Sequence, residues 1–513
     1  MAPTLAEEPP RHRRLADGLS KVAAVLCLAG FVLAVFNILG WAERTSISGF
    51  GDLEKRAPEH DRSIASQPPQ PPQIGLFSAG AGGYRSFRIP ALVSRPCGTG
   101  AGRTCLHVFA EGRWLSASDS GPIDIVTRRS TDGGRSWTPI ETAVSWGDIS
   151  TTVGNPAPVW DGEMGSANGS LLLLFTVNNT WPFVTKLEPT GWSTPRNLSL
   201  ETKLPGWGWM ATGPGHGIRL LGPVGGSVGA RASVYFPGRL VVPVDHMLSA
   251  ADVSLSVKLR LPAGVPPGDG RARPRATVRF VTVNAQHPTD RYAGEVDVEW
   301  PILPEFVLQG MRSSALLSDD GGASWRMGSA VPSTNSNSNE ASITELDDGT
   351  LVLSFRIQSA SGSERGCRHF SLSKDGGESW GSPSQAENCA VPDPICQGSI
   401  LAVPGLGVLT SGPGSRQARE RMSLHRAAVA DGVRGLQEWS TLRVLSEGSA
   451  AYSDIALIDE DLDRGPRRPL SGGEGGQLTP SARHLAILYE LGQDGHGGPS
   501  AIMFARHYIE TAG

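Results

Sequence analysis

Two arginines occupy sequence positions that exposure to solvent explains poorly. Arg88 lies inside the run Phe-Arg-Ile-Pro at 87–90, where an apolar strand is predicted to begin. Arg356 lies inside the apolar run TLVLSFRI at 350–357, and a charge in such a strand needs an anionic partner. The planar guanidinium of arginine stays charged and binds a carboxylate through paired hydrogen bonds. Both positions therefore favour a functional role with an anionic partner over a solvated surface role.

A tyrosine and an aspartate lie in turns made of small residues. Tyr452 lies in SAAYSD at 449–454, a segment that would expose its hydroxyl. Asp119 lies in SASDSG at 116–121, where the alternative is a solvated loop carboxylate. A carboxylic acid donates its proton best near neutral pH when burial raises its pKa. Asp119 would meet that condition under a bound substrate.

The elements that hold these side chains are predicted to be short β-strands. The 513 residues include 64 glycines and 39 prolines, and only 19% are charged. Apolar runs at 87–93, 170–177 and 484–490 are bounded by turn residues, which is typical of an all-β fold. The composition excludes a coiled coil and a disordered chain. The net charge of −4 argues against a general nucleic-acid binder.

An octapeptide with the pattern S-x-D-G-G-x-S-W occurs three times, at 130–137, 318–325 and 373–380. Asp-Gly supplies the positive φ of a hairpin turn, and the Asp and Ser side chains can bond local backbone groups. Three copies indicate a repeated hairpin, hence a propeller or a similar array. The last two copies are separated by about one four-stranded blade. These boxes are structural and predict no chemistry.

The N-terminal part of the chain predicts a membrane anchor. Residues 22–41 carry no charge and match the roughly 20 residues that span a bilayer. Basic residues precede the run, so residues 1–21 are predicted to be a cytosolic tail. Residues 22–42 then form a signal anchor, with a cleaved signal and a secreted protein as the alternative. A Pro-rich stalk follows at 43–73.

The cysteines of a chain on the secretory side can form disulfides. Cys97 and Cys105 flank a Gly-rich turn, and Cys389 and Cys396 bracket a loop that contains proline. Cys367 would then be left over. Spacing alone leaves the connectivity open.

Four features together resemble the sialidase (neuraminidase) superfamily. They are the three boxes, Phe-Arg-Ile-Pro at 87–90, GNPAP at 154–158 and TGPGHGI at 212–218. The resemblance covers about residues 74–510 and is greatest to lysosomal-type animal and bacterial exo-α-sialidases. It implies a catalytic domain at 74–513 folded as a six-bladed β-propeller, with the site on the propeller axis.

The resemblance implies a clamp of three arginines for the carboxylate of sialic acid. Arg88 and Arg356 match the first two clamp arginines, and Glu490 matches the acidic residue that holds Arg88 in place. Arg113 matches a further arginine that contacts substrate. Arg419 fits the third clamp position best, although the segment 415–426 also offers Arg416, Arg421 and Arg426.

The resemblance also assigns the reacting groups. Tyr452 matches the catalytic tyrosine, Asp119 the acid/base, and Glu340 the glutamate that takes the tyrosine proton. Glu345 is a rival to Glu340 because it lies in the same segment. A neutral tyrosine suits this substrate because a carboxylate nucleophile would meet the substrate's own carboxylate. Tyrosine ionises near pH 10, so it needs a neighbouring base. Retention of configuration is expected, with no metal or cofactor.

These implications predict an exo-α-sialidase that acts on glycoproteins, gangliosides and other glycolipids, and oligosaccharides. Its catalytic domain would face the lumen or the outside of the cell, at the Golgi, the lysosome or the plasma membrane. Three alternatives stay open: a trans-sialidase, a hydrolase of deaminated sialic acid, and an inactive propeller that binds sialic acid as a lectin.

Overall fold

A computed structural model describes residues 72–97, 104–163, 166–203, 207–222, 236–248, 311–332, 337–358, 365–428, 436–458, 482–492 and 498–510, with the backbone of three further strands between 252 and 299. Residues Gln70–Gly513 form one compact unit. Within the described ranges, no helix has the length and apolarity to cross a bilayer. The predicted tail, the predicted anchor at 22–42 and almost all of the stalk lie outside these ranges.

Two antiparallel sheets follow the first strand, β1 (Gln73–Ser78), and a 3-10 turn at Ala81–Gly83. Sheet I has the order β2-β3-β4-β5, and sheet II has the order β10-β8-β7-β6 with β9 paired to β8. Their bounds are β2 Ser86–Pro96, β3 Thr104–Arg113, β4 Ile123–Ser130, β5 Glu141–Val144, β6 Val153–Trp160, β7 Leu171–Val177, β8 Trp181–Glu188, β9 Gly191–Trp192 and β10 Arg196–Asn197.

A third sheet is interrupted in sequence by a separate three-stranded sheet. After the short helix Ser199–Thr202 come β11 Trp207–Thr212, β12 Ile218–Arg219 and β13 Leu240–Leu248, then the inserted strands β14 Asp252–Arg260, β15 Arg275–Val283 and β16 Arg291–Glu299, then β17 Met311–Ser318 and β18 Arg326–Met327. Sheet III has the order β11-β13-β17-β18, with β12 paired to β13.

The last two sheets hold the C-terminal third of the chain. Sheet IV has the order β19-β20-β21-β22, with bounds Ser338–Glu345, Leu351–Ile357, His369–Ser373 and Ser384–Gln385, and a 3-10 turn follows at Glu387–Cys389. A seven-stranded sheet has the order β1-β28-β27-β26-β25-β24-β23. Its strands after β22 are β23 Ser399–Val403, β24 Gly407–Pro413, β25 Glu420–Ala427, β26 Trp439–Ile458, β27 Ala482–Leu491 and β28 Ala501–Glu510.

This arrangement confirms the prediction of an all-β, propeller-like fold. The sheet order does not give the predicted six separate blades. Sheets I to IV each have four or five strands, β14, β15 and β16 form the inserted sheet, and the remaining strands form the seven-stranded sheet. The cause is β26, which is 20 residues long. Its first half pairs with β25 and its second half pairs with β27, so one continuous strand joins both parts.

Apolar clusters join each sheet to the next one. Phe109 of β3 and Phe175 of β7 belong to one cluster, and Leu317 of β17 and Leu353 of β20 belong to another. All four side chains are fully buried, and each contributes roughly 1.5–3 kcal/mol through removal from water. The sheets therefore pack face to face and share their cores, which fixes where their innermost strands end.

The three S-x-D-G-G-x-S-W boxes form turns with the same hydrogen bonds. In the first box, Ser130 Oγ accepts the Gly134 N–H at 2.8 Å, and Asp132 Oδ1 accepts the Ser136 N–H at 2.9 Å. The same pair of bonds occurs in the second and third boxes. Each box follows the third long strand of a sheet, as the hairpin prediction requires.

Two disulfides connect four of the five described cysteines. Cys97 pairs with Cys105, and Cys367 pairs with Cys389. Cys396 is a free, buried thiol. The suggestion that Cys389 and Cys396 close a loop is therefore wrong: Cys367 and Cys389 lie at opposite ends of the β21–β22 region, and their Cα atoms are 5.2 Å apart.

Candidate active site

Four innermost strands carry a bulge at the position where a polar side chain enters one site. The ladder register breaks in β2 after Arg88, in β6 around Asn155, in β19 around Glu340 and in β26 around Tyr452. A regular strand sends successive side chains to opposite faces. An extra residue re-aims a side chain and is common beside active sites. The bulges let these residues point away from the packed sheet faces.

Arg88 is fixed by the carboxylate of Glu490. Glu490 Oε1 accepts Arg88 Nε at 3.2 Å and the backbone N–H of Ile89 at 3.0 Å. Ile89 has a φ of 58°, a left-handed conformation that strains a β-branched residue. Glu490 is 1% exposed, so a buried charge holds both the guanidinium and the strained backbone beside it.

Tyr452, Glu340 and Arg356 form a connected group. The Tyr452 hydroxyl donates to Glu340 Oε1 at 2.6 Å and accepts from Arg356 Nη1 at 3.1 Å. Arg356 Nη1 also lies 2.9 Å from Glu340 Oε2. Burial raises the pKa of Tyr452 above its ordinary value. The charge of Arg356 lowers this pKa in part, and the nearby Glu340 raises it further. The phenol is therefore neutral at physiological pH, with its proton directed at a carboxylate.

Three guanidinium groups converge on Tyr452. Those of Arg88 and Arg419 lie 4.9 Å and 5.4 Å from the centre of the tyrosine ring, and Arg356 contacts the hydroxyl. The carbonyl oxygen of Ile395 accepts from Arg419 Nη2 at 2.6 Å and from Arg356 Nη1 at 3.3 Å. Three positive charges in a small volume repel one another and favour an anionic ligand.

Asp119 lies at the exposed rim of this group. Its Oδ1 is 3.2 Å from Arg88 Nη1 and 2.9 Å from Arg113 Nη2, and its side chain is 69% exposed. Burial raises the pKa of Asp119, but Arg113 and Arg88 outweigh it, so that pKa lies below the ordinary range. Arg113 itself is 2% exposed and is held by Glu111, whose Oε2 accepts Arg113 Nε at 3.0 Å. The buried Arg113 therefore contacts Asp119, the proposed acid, whose own side chain is exposed.

The rival candidates bond elsewhere. Glu345 accepts the N–H groups of Leu221 and Gly222 at 2.7 Å and 2.9 Å, whereas Glu340 contacts Tyr452. Only Arg419 among the four arginines of 415–426 is recorded over the tyrosine ring. Arg416 donates to the carbonyl of Arg365, Arg421 pairs with Glu447, and Arg426 donates to the carbonyl of Leu406.

Two supporting residues were missed at the sequence level although their segments were noted. Asn155 donates its N–H to Glu111 Oε1 at 2.9 Å and its Nδ2 to Asn179 Oδ1 at 2.7 Å. Asn179 Nδ2 donates in turn to the carbonyl of Asp119 at 3.1 Å. The asparagine between Gly154 and Pro156 in GNPAP is the signal that could have identified Asn155, because asparagine tolerates the left-handed conformation that the structure shows there, with a φ of 57°.

Asp245 is a third residue that sequence reasoning missed, and it carries a carboxyl group. It is fully buried in β13, and Trp209 Nε1 donates to its Oδ2 at 2.8 Å. Burial and the nearby Glu340 raise the pKa of Asp245 to about 8. Asp245 directly follows the apolar run RLVVPV at 239–244. A charged residue in such a strand was the available sequence signal, the same one that identified Arg356.

Comparison with known proteins adds independent evidence. Residues 297–463 match the family described as BNR repeat-like domain, a segment that contains two of the three boxes. A sialidase of Bacteroides fragilis is 22% identical over 428 residues, which cover 76% of this chain and 61% of that protein. Both findings support membership of the sialidase superfamily. The resemblance inferred from the sequence is thereby confirmed.

Two further similar proteins were found, one by sequence and one by structure. An exo-α-sialidase of Aspergillus fumigatus is 34% identical over 199 residues, which cover 32% of the chain and 46% of that protein. A solved structure of a Hadza microbial sialidase has a TM-score of 0.54 at 20% identity, covers 85% of the chain and 68% of that protein, and supports the fold. The chain spans about three fifths of the length of the Bacteroides relative.

The group around Tyr452 combines three chemical capacities. The arginines can bind an anion, the Tyr452–Glu340 pair can generate a phenolate nucleophile, and Asp119 can exchange protons at the rim. The arginines and the Tyr452–Glu340 pair each combine side chains from more than one sheet. A molecule must therefore reach all of them from the open side where Asp119 is exposed.

Proposed function

We propose that the protein is an exo-α-sialidase that hydrolyses terminal sialic acids from glycoproteins, glycolipids and oligosaccharides with retention of configuration. The observation that carries the proposal is the contact of Tyr452 with Glu340 at 2.6 Å beneath three converging arginines. A binding module needs the arginines for a carboxylate, but it has no need of a tyrosine paired with a base.

In the proposed complex, the substrate carboxylate binds Arg88, Arg356 and Arg419. Arginine suits this role because its guanidinium offers paired donors and keeps its charge. The carboxylate is bonded to the anomeric carbon, so the clamp also fixes that carbon above Tyr452. Positive charge that develops on the sugar in the transition state is then stabilised by the adjacent, oriented carboxylate.

The first step forms a tyrosyl-enzyme. Tyr452 Oη attacks the anomeric carbon, Glu340 takes the phenolic proton, and the bond to the leaving oxygen breaks as Asp119 protonates it. In the second step Asp119 takes a proton from water, the water oxygen attacks the anomeric carbon, and Tyr452 leaves and regains its proton from Glu340. Two inversions give net retention.

Hydrolysis of a fluorogenic sialoside tests the proposal. The purified full-length chain should release 4-methylumbelliferone from its sialic acid glycoside. Tyr452→Phe and Asp119→Ala should lower kcat by at least about a thousandfold, within the range reported for lost catalytic groups. Tyr508→Phe is the matched control, because Tyr508 is 50% exposed on β28. A folded wild-type protein that is inactive on this substrate contradicts the proposal.

The alternatives predict different results in the same assay. A trans-sialidase would form sialyllactose when lactose is added. A hydrolase of deaminated sialic acid would prefer the deaminated glycoside. A lectin would bind sialic acid in calorimetry without releasing the fluorophore.

The position and blade count of the catalytic unit are part of the proposal. We propose that residues 22–42 anchor the chain in a secretory membrane, with residues 74–513 on the lumenal or outer side. Carbonate extraction tests this, because the full chain should stay in the membrane pellet. We also propose that the two halves of the seven-stranded sheet act as the fifth and sixth blades. Leu424 of β25 and Ile487 of β27 share one apolar cluster, which supports two packed halves.

A further inference from the structure

A buried carboxylate, Asp454, lies two positions after Tyr452 and takes no part in the proposed chemistry. Its side chain is fully buried. Oδ1 lies 2.9 Å from His216 Nδ1 and accepts from Ser399 Oγ at 2.7 Å, and Oδ2 accepts the backbone N–H of Leu92 at 2.8 Å. An ionised carboxylate only accepts hydrogen bonds, so His216 Nδ1 carries the proton.

These partners come from separate parts of the propeller-like ring. Leu92 lies in β2 of sheet I, Ser399 in β23, and His216 in the loop between β11 and β12 of sheet III. Gly215 shapes that loop with a φ of 114°, and a Cβ at this position would lie 3.5 Å from Asp454 Oδ1. One carboxylate therefore ties three other elements to β26.

A neutral amide next to this carboxylate continues the connection. Gln397 Oε1 accepts the Ser453 N–H at 3.0 Å, and Gln397 Nε2 donates to the carbonyl groups of Ser453 and Pro214, each at 3.0 Å. Gln397 and Ser453 are fully buried. Both residues that follow Tyr452 in sequence are thus held by side chains from other elements.

Tyr452 itself lacks a place in the ladder between β26 and β27. The register passes from the pair Ala450–Leu491 to the pair Ser453–Tyr489, so Ala451 and Tyr452 lie in the bulge. The Tyr452 N–H has one long contact, 3.4 Å to Glu490 Oε2. Regular strand pairing therefore does not set the position of this tyrosine. The contacts of Ser453 and Asp454, which follow it in sequence, set that position instead.

We propose that Asp454, with His216 and Ser399, is a positioning centre that holds the hydroxyl of Tyr452 within reach of Glu340. The expected loss of kcat rests on the proposed function. The expected displacement of the Tyr452 hydroxyl rests on the contacts alone. Charge is needed because all four donors around the carboxylate, including the Ile455 N–H at 3.0 Å, require an acceptor. An amide at 454 would place its own NH₂ against one of them.

The pair His216–Asp454 is charge-assisted. Burial lowers the pKa of His216, but the Asp454 carboxylate outweighs it and the pKa is raised. Asp454 is the charged group that acts on His216, and Ser399 and Leu92 add neutral contacts to the carboxylate. A bond of this type is stronger than a neutral one, which suits a residue that must hold the strand beside a bulge.

Three variants of the full-length chain test the inference with one matched control. Asp454→Asn removes the charge, His216→Gln removes the imidazole, and Ser399→Ala removes one donor. His425→Gln is the control, because His425 is also buried but has no carboxylate contact, its recorded partner being Thr441 Oγ1 at 3.4 Å. If Asp454→Asn does not fold, His216→Gln and Ser399→Ala still test the inference.

The expected result is a split between kinetic constants. His216→Gln and Ser399→Ala lower kcat per folded molecule about tenfold or more with KM within about threefold, since the arginine clamp is untouched. The control lowers the melting temperature at most and leaves kcat unchanged. Equal kcat in wild type and both variants, with lower melting temperatures, would show a purely structural role and overturn the inference.

A crystal structure of His216→Gln supplies a readout that does not depend on activity. The inference expects the Tyr452 Oη to Glu340 Oε1 distance to exceed hydrogen-bond reach, while Arg356 stays against Glu340. An unchanged Tyr452 in that crystal overturns the positioning role even if the protein acts on another substrate. A wild-type protein without sialidase activity, in contrast, contradicts the proposed function and leaves this crystallographic test intact.

Discussion

The carboxylate of Glu340 accepts the hydroxyl of Tyr452 at 2.6 Å across 112 positions of sequence. The two residues lie in bulges of β19 and β26, which belong to different sheets. Each bulge turns a side chain out of the regular alternation, and both turn toward the same point. This contact pairs a neutral phenol with an ionisable base, with Arg356 bonded to both.

Loss of the charge on Glu490 should weaken substrate binding. In Glu490→Gln the amide NH₂ must face one of three donors, namely Arg88 Nε and the N–H groups of Ile89 and Tyr452. We expect KM to rise about 10–100-fold, which corresponds to about 1.4–2.8 kcal/mol, and the melting temperature to fall. Steady-state kinetics and calorimetry measure both. Glu447→Gln is the control, since Glu447 is 75% exposed, and a similar effect there would contradict the reasoning.

Arg419 should be the one arginine of its segment that the reaction needs. Arg419→Ala removes a guanidinium from above the Tyr452 ring, and we expect kcat/KM to fall about 100-fold, equivalent to about 2.7 kcal/mol. Arg419→Lys should recover little of this, because an ammonium cannot form the paired contact with a carboxylate. Arg416→Ala, which affects an exposed side chain bonded to a backbone carbonyl, should match wild type. Equal losses at both positions would count against the clamp.

The alkaline limbs of the pH profiles of kcat and kcat/KM should lie at different pH values. Arg113 and Arg88 lower the pKa of Asp119 in the free protein, so its acid form is lost at a lower pH than for an ordinary aspartate. A substrate carboxylate bound to Arg88 would offset that charge and raise the pKa again. The limb of kcat, which reports the complex, should therefore lie at higher pH than the limb of kcat/KM. Coincident limbs, or limbs that persist in Asp119→Ala, would falsify this assignment.

Two glycines with nearly the same backbone separate strain from packing. Gly80 and Gly134 have φ values of 88° and 87°, so alanine strains both by about 1–2 kcal/mol. A Cβ at Gly134 would lie 2.4 Å from Phe504 Cζ, whereas nothing lies within 4 Å of one at Gly80. Gly134→Ala should therefore lose a further 1–3 kcal/mol, the approximate range for overpacking. Urea unfolding measures the difference, and equal losses would mean that the turn and Phe504 adjust without cost.

The local fold of the turns was readable from the sequence because it depends on adjacent residues. The Asp, Gly and Ser of each box bond within the same eight residues, so the pattern that predicts the turn also contains its partners. The apolar runs likewise predicted buried strands such as β7 and β20. The same reasoning could not predict that β26 continues through two halves of one sheet, because nothing in residues 439–458 marks the change of partner.

The sequence by itself determined the residue types that the site requires: arginines in apolar surroundings, a tyrosine among small residues and the repeated turns. Only the tertiary structure brought Glu340 rather than Glu345 against Tyr452, placed Arg419 over the tyrosine ring, and paired Cys367 with Cys389. Those choices depend on contacts between distant strands. A regular strand pattern tells which face a side chain occupies, but bulges at Arg88, Glu340 and Tyr452 reverse that assignment, and they become visible only when the partner strand is present.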